Sequence, residues 1–515
     1  MGGFGLRREI ARCSGGGTVV SVTATATEAL RTPCRGELPL DCRLEPWQTE
    51  LMSQPEPLLD RLGDGESPVN VIDPGPMEAN ARELSDAATR AGVRLRIFFA
   101  RKANKCLSLV DRACELGLGV DVASFRELEE ASAHGVQGED LVVTGAVKPR
   151  SLLELCADRG ATVVLDNRDE ADLLGTIAAE RSTKVRVALR LAVAIPGATP
   201  TRFGMPTSEA LRLAGDLDAD PLLELVGLHF HLDGYSVADR ALALTAALEL
   251  ADLLPATSRP SFIDIGGGIP MSYLDDEAQW DHFWAAHREA VSGHRPPLTF
   301  EGHGLGLSAL GGKLLGAPAV YPYFQRPTRG AWLSGLLDSE LAVGGQTTTV
   351  AEALNSRRLE LHCEPGRSLL DGCGLTAARV QFVKRRLDGV TLVGLGMNRT
   401  QCRSTSDDFM VDPILLGTGA PRRDAQLSGY LVGAYCIERE LLTLRRLRFA
   451  SGAAVGDTVI FPNTAGYLMH ILESSSHRMP LATNYVHDQG RLNLDPVDSQ
   501  PLVEPNRRGL RPTAN

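Results

Sequence analysis

Lysine is nearly absent from this 515-residue chain, where six lysines stand against forty-seven arginines. Basic surface positions are filled by arginine, so each remaining lysine is a candidate for work that a permanently charged guanidinium cannot do. The ten cysteines form no Cys-x-x-Cys pair and the eleven histidines no His-Glu-x-x-His. Neither a zinc site nor a disulfide framework is signalled, and a reducing cytoplasm fits best. No apolar run approaches the roughly 18 residues of a membrane span. At a net charge of −11 the chain also lacks the basic face that nucleic acid or an anionic membrane requires. What remains is a globular chain, 43% hydrophobic and 23% charged, long enough for one large domain and a smaller one.

One lysine is placed tellingly. Arg101-Lys102-Ala103-Asn104-Lys105-Cys106 follows the apolar run Ile97-Phe98-Phe99-Ala100, which puts Lys102 at the mouth of a buried strand. A desolvated amine loses its proton, becomes a nucleophile and forms an imine with an aldehyde, whereas arginine stays charged. The bland alternative is a lysine snorkelling at a strand end.

From residue 97 onward, eight short apolar runs alternate with amphipathic segments: 97–100, 119–123, 141–145, 162–166, 185–191, 226–232, 262–265 and 359–363. Between them the apolar positions recur every three and four residues, as in 107–116, 125–134 and 236–254. Strand and helix alternating eight times is the pattern of an α/β chain closed as a (β/α)8 barrel. On it Lys102 follows strand one, Asp121 lies in strand two, His231 closes strand six, Gly266-Gly267-Gly268 follows strand seven and Glu364-Pro365-Gly366-Arg367 follows strand eight. Barrel strand ends converge on one rim, where active sites form.

After strand eight the segments are short, β-rich and separated by turn residues, so residues 371–515 are expected to form an all-β C-terminal domain with a flexible end. Residues 76–370 form the barrel, and 46–75 hold a lead-in strand that pairs with the β-domain. Residues 1–45, with Arg7, Arg8 and a Gly/Ser/Thr/Ala-rich run, read as a disordered tail, a transit peptide being the open alternative.

In this order the residues resemble the fold type III pyridoxal-phosphate decarboxylases, the group of the ornithine and diaminopimelate decarboxylases, over about residues 67–480. Lys102 in Phe-Ala-Arg-Lys-Ala-Asn looks like the family's Schiff-base lysine. Val120-Asp121-Val122-Ala123-Ser124, Thr201-Arg202-Phe203-Gly204 and Gly227-Leu228-His229-Phe230-His231 are similar to further family segments. The resemblance implies an alanine-racemase-like barrel and pyridoxal 5'-phosphate as cofactor. Lys102, Asp121, His231, Gly266, Gly267, Gly268, Glu364, Gly366, Arg367 and Tyr467 would bind it, His231 stacking on the ring and Glu364 facing the pyridine nitrogen. Cys436 would return a proton after carbon dioxide leaves, reaching its site from the neighbouring subunit of a homodimer.

Three departures from the family pattern bear on the substrate. Ile437 stands where an acidic residue follows the cysteine, leaving Glu438 or Glu440 to compensate, and Leu395 stands where ornithine-type enzymes carry an aspartate. A distal ammonium without a carboxylate is costly to bury. Arg399 and Arg403 offer positive charge instead, so a substituted or acidic amino acid is expected rather than ornithine or lysine, with Arg399, Arg403 and Glu438 as substrate contacts. Third, 96 residues separate Gly268 from Glu364, so an insertion over about 302–358 is expected to act as a lid or docking element. The alternatives are an amino-acid racemase on the same scaffold and a catalytically silent regulatory homologue.

Overall fold

The computed structural model describes residues 26–404, 409–422 and 426–499. Its N-terminal part departs from the expected tail. Strand β1 (Cys34–Gly36) pairs antiparallel with a strand of the β-domain, and Cys34, Leu40 and Cys42 are buried. The Leu40 N–H donates to Asp412 Oδ2 at 3.1 Å. Three apolar residues spread over nine positions are too few to read as a periodic element, yet they suffice to seat this segment. Residues 1–25 of the expected tail lie outside the described residues.

Strand β2 (Val69–Ile72) joins the β-domain before the barrel begins. The barrel strands are β3 (Leu95–Ala100), β4 (Gly119–Val122), β5 (Leu141–Val143), β6 (Thr162–Leu165), β7 (Val185–Arg190), β8 (Leu223–His229) and β9 (Phe262–Asp264). After two hairpins, β10 (Leu307–Leu310) with β11 (Lys313–Gly316) and β12 (Glu340–Val343) with β13 (Gln346–Thr349), strand β14 (Glu360–Cys363) closes the parallel barrel between β9 and β3. These strands are nearly continuous apolar runs because both faces are covered, by the barrel interior and by the helix ring.

The interval expected as an insertion divides in two. The β10–β11 hairpin projects, with Leu310, Leu314 and Leu315 exposed. The helices Arg329–Leu337 and Val350–Arg357 instead bury Trp332, Leu333, Leu336, Leu337, Val350 and Leu354 in the barrel's own core. Residues 329–358 are therefore framework, since the last β/α repeat needs a helix to cover its strand.

The β-domain follows: β15 (Gly374–Arg385), β16 (Thr391–Leu395), β17 (Ile414–Leu416), β18 (Leu427–Val432), β19 (Leu447–Phe449), β20 (Thr458–Pro462), β21 (Thr483–Asp488) and β22 (Arg491–Leu494). Its sheet runs β1-β19-β18-β16-β15-β2-β21-β22, with β20 pairing β15 and β17. Asp371 pins barrel to β-domain. Its buried carboxylate accepts from Arg43, from Arg329 Nη1 at 2.6 Å and from Asn463 Nδ2 at 2.7 Å, three segments far apart in sequence.

Candidate active site

Lys102 sits in a single 3-10 turn, Arg101–Ala103, at the end of β3. The turn is held from both sides. Arg101 is buried in an ion pair with Glu130, and its Nη1 donates to the Lys105 carbonyl at 3.1 Å. Asn104 Oδ1 accepts the Cys106 N–H at 2.9 Å while its Nδ2 donates to the Ala465 carbonyl, also at 2.9 Å. The Tyr467 N–H donates to the Ala103 carbonyl at 2.8 Å. The β-domain loop thus clamps the lysine turn onto the barrel rim.

Lys102 Nζ lies 3.3 Å from Asp121 Oδ2, and the Thr144 hydroxyl donates to the other oxygen of Asp121. Burial disfavours the ammonium, but the Asp121 and Glu364 carboxylates outweigh it and hold the Lys102 pKa above the usual lysine range. The expected deprotonation by desolvation is corrected here. In this arrangement the amine is a paired ammonium, because acids were buried with it.

Below it lies a buried polar trio. His229 Nε2 is 3.2 Å from Glu364 Oε1, and Asp264 Oδ1 accepts the Gly266 N–H at 2.8 Å. Ligand atoms of His229, Asp264 and Glu364 fall within 4.8 Å of one another, close enough to share a cation. Burial pushes both carboxyl pKa values up and the His229 pKa down. Glu364 lines the central cavity, and its Oε2 is buried with no partner among the described residues. A buried carboxylate oxygen left unpaired is costly unless something is meant to meet it.

That cavity, of about 320 Å³, is lined by Lys102, His231, Gly267, Glu364, Arg367 and Tyr467 among others. His231 Nδ1 accepts the Gly267 N–H at 3.3 Å, and burial lowers its pKa, which leaves a neutral flat ring. At the far end the glycines permit close approach. A Cβ on Gly366 would lie 2.5 Å from Tyr467 Oη, and one on Gly268, whose φ is +75°, would lie 2.1 Å from Arg240 Nη2. Arg367 Nη1 donates to Tyr273 Oη at 2.8 Å and to the Gly466 carbonyl at 3.0 Å, with the guanidinium 4.1 Å from the Tyr321 ring centroid.

Tyr273, Tyr321 and Thr144 were not legible as site residues. The two tyrosines belong to the 96-residue interval whose path only the fold reveals, and Thr144 reads as an ordinary strand-end residue. Of the expected residues, Asp121 and Gly266 sit behind the cavity's lining, and four others stand away from it altogether. Cys436 and Glu438 are exposed on the loop after β18. Arg399 is tied to Glu440, Oε1 of which accepts its backbone N–H at 2.7 Å, and Arg403 Nη2 donates to the Leu441 carbonyl at 2.8 Å. Arg399, Arg403 and Arg439 line a separate pocket of about 260 Å³ with Glu301 and His303.

A sequence profile described as "Pyridoxal-dependent decarboxylase, pyridoxal binding domain" matches residues 78–301. The chain is 30% identical to "Uncharacterized protein y4yA" of Sinorhizobium fredii, over 87% of this chain and 94% of that one. It is 32% identical to the diaminopimelate decarboxylase of Actinosynnema pretiosum over 53% of this chain, spanning 62% of that enzyme. Among solved structures, diaminopimelate decarboxylase from Helicobacter pylori in complex with L-lysine superposes with a TM-score of 0.61 at 17% identity, covering 83% of this chain and 93% of the other. The arginine decarboxylase of Paramecium bursaria Chlorella virus gives 0.59 at 17% identity, covering 85% and 100%. At these identities the structural likeness establishes the fold. No helix among the described residues is long and apolar enough to cross a membrane.

Proposed function

The chain belongs to the fold type III pyridoxal-phosphate-dependent decarboxylases, and from that premise we propose that it removes the α-carboxylate of an amino acid bearing a distal carboxylate or amide, in a site completed by a second copy. As a member it is a carbon–carbon lyase that uses pyridoxal 5'-phosphate.

The residues present fit that cofactor. The unpartnered Glu364 Oε2, on the same cavity as Lys102 and the glycine loop, carries the reading, because it is the acceptor a pyridinium N–H requires. Lys102 would hold the aldehyde carbon, the neutral His231 ring would lie on a ring face, and Gly266, Gly267, Gly268, Gly366 and Arg367 would hold the phosphate. When bound, the cofactor supplies the electron sink that stabilises the charge left as the carboxylate departs. The chain's own part is to hold charge. Glu364 would keep a proton on a pyridine nitrogen, Asp121 holds the Lys102 ammonium beside the cavity, and Tyr467 would help hold the phosphate. Borohydride reduction followed by peptide mapping should place the pyridoxyl group on Lys102. Finding it on Lys105, paired with Glu473 at 2.8 Å, or on Lys148, buried against Glu170 at 2.9 Å, would overturn the assignment.

The exposed Cys436 supports a shared site, since a thiol outside its own cavity is free to enter another chain's and protonate Cα there. The substrate reading rests on charge. Leu395 is buried and apolar, while Arg399, Arg403 and Arg439 gather on one pocket beside the Cys436 loop. Carbon dioxide release from a panel of L- and D-amino acids tests it. Diaminopimelate, for which two of the relatives above are named, carries both a distal carboxylate and a distal ammonium and belongs first in that panel. Ornithine or lysine as the best substrate would refute the acidic preference. The nine described free cysteines fit a reducing cytoplasm.

A further inference from the structure

A buried guanidinium stands directly behind the glycine loop without a carboxylate to balance it. Arg240, in the helix Val237–Leu253, is 0% exposed and makes no ion pair among the described residues. Its Nη2 donates instead to the carbonyls of Gly234 at 2.9 Å and Gly267 at 3.0 Å, with Leu232 at 3.4 Å. The indole of Trp332 packs on it at 5.3 Å, and Trp332 Nε1 donates to the Tyr235 carbonyl at 2.8 Å. Burial pushes the Arg240 pKa down to about 10, which still leaves it protonated at neutral pH.

In a trans peptide the C=O and the following N–H point in opposite directions. Arg240 holds the Gly234 and Gly267 carbonyls and does not itself line the cavity, whereas Tyr235 and Gly268 do, so the N–H groups of those two residues point away from Arg240 and are available to the cavity. Gly268 has to be glycine for this, because its Cβ would fall on the guanidinium. A buried cation held by carbonyl dipoles and an indole face, with Asp233 and Asp239 near but no carboxylate in direct contact, is costly, and an anion across the loop relieves that cost.

We propose that Arg240 is a positioning residue for a phosphate dianion: it aims two backbone donors into the cavity and leaves an unbalanced positive charge behind them. This rests on the cofactor reading above. It differs from the role of Arg367, which lines the cavity and offers its own N–H groups.

The test compares pyridoxal 5'-phosphate with pyridoxal, which carries the same aldehyde but no phosphate. Full-length apo wild type, R240Q and R240K are titrated with each, binding being read from visible absorbance and folding from circular dichroism. R240Q should weaken pyridoxal-phosphate binding by roughly 10- to 100-fold while pyridoxal stays within about threefold. R240K keeps the charge on a stem one bond shorter and without the planar guanidinium fork, so it should fall between. A merely structural role weakens both ligands alike. That outcome, or a wild-type ratio of the two affinities in either folded variant, overturns the proposal. Should R240Q not fold, R240K decides by the same ratio. Wild type that binds neither compound refutes the cofactor reading itself, and the role of Arg240 with it.

Discussion

Around Lys102 the charged groups are enclosed within one chain: Asp121, Asp264 and Glu364 are buried, Asp121 bonded through both oxygens and the other two through one each, and Glu364 lines the cavity with Oε2 unpartnered among the described residues. At the edge of the β-domain the arrangement is the opposite. Arg399 lies half exposed against Glu440, Arg403 donates to the Leu441 carbonyl, and Cys436 and Glu438 face outward. The first region is pre-organised, with its costs met by the fold. The second has groups that stand away from its own chain's cavity. A cofactor that stays bound justifies a rigid cradle, whereas a substrate that enters and leaves is met by groups on open loops.

The hardest way to break the first region is to remove its lysine. Lys102→Ala should lower turnover by roughly 10⁴-fold or more, with no borohydride-trapped cofactor. Mixed with inactive Cys436→Ala, it should regain up to about a quarter of wild-type activity, since random exchange gives one intact site in half the dimers. No recovery, once subunit exchange is shown independently, would mean that the two regions work within one chain.

Glu364→Gln separates the cost of the cradle from its use. The variant should lose roughly 10²- to 10³-fold in kcat/KM, since an amide does not hold a pyridinium proton. Apo stability should move the other way. Burial raises the folded-state pKa of Glu364 above its unfolded value, so the folded state binds the extra proton and wild-type stability falls as pH rises through that window. The Tm advantage of the variant should be small near the ordinary carboxylate pKa of about 4.3 and grow toward neutrality. An advantage independent of pH would show that Glu364 does not titrate there.

Asp371 tests whether the clamp between barrel and β-domain underlies the first region's rigidity. Removing a buried carboxylate that serves Arg43 and Arg329 strands two cations, so Asp371→Ala should cost about 3–5 kcal/mol by denaturant unfolding. Asp371→Asn should cost less.

The same contrast explains what was legible in the sequence. The eight barrel strands stood out because buried parallel strands are short apolar runs at β/α spacing, and Lys102, His231, Glu364 and Arg367 lie at their ends, so topology alone brings them to one cavity, with Asp121 behind Lys102. Arg240, Tyr273 and Tyr321 were not legible. Arg240 sits in an otherwise ordinary helix, and the tyrosines depend on a tertiary path that local pattern does not encode. The seating of residues 34–45 was missed for the same reason, as it rests on β1 meeting β19, more than four hundred residues away. At the β-domain edge the sequence singled out Cys436, Arg399 and Arg403, and none of the three lines the cavity of Lys102.

Arg403 offers the smallest and sharpest test of that edge. Its guanidinium is partly buried, its Nη2 is committed to the Leu441 carbonyl, and Nε is without a partner among the described residues, so it has donors to spare for an incoming carboxylate. A charge-assisted contact at such a site is worth about 1.5–3 kcal/mol. Arg403→Ala should therefore lower kcat/KM by roughly 10- to 100-fold for a substrate with a distal carboxylate. The loss should appear mainly in KM, because the contact is far from the reacting carbon and serves ground and transition states alike. Steady-state kinetics on the preferred and a neutral substrate provide the check. Equal losses on both would make Arg403 a loop brace, and the edge of the β-domain would then owe its selectivity to something other than charge.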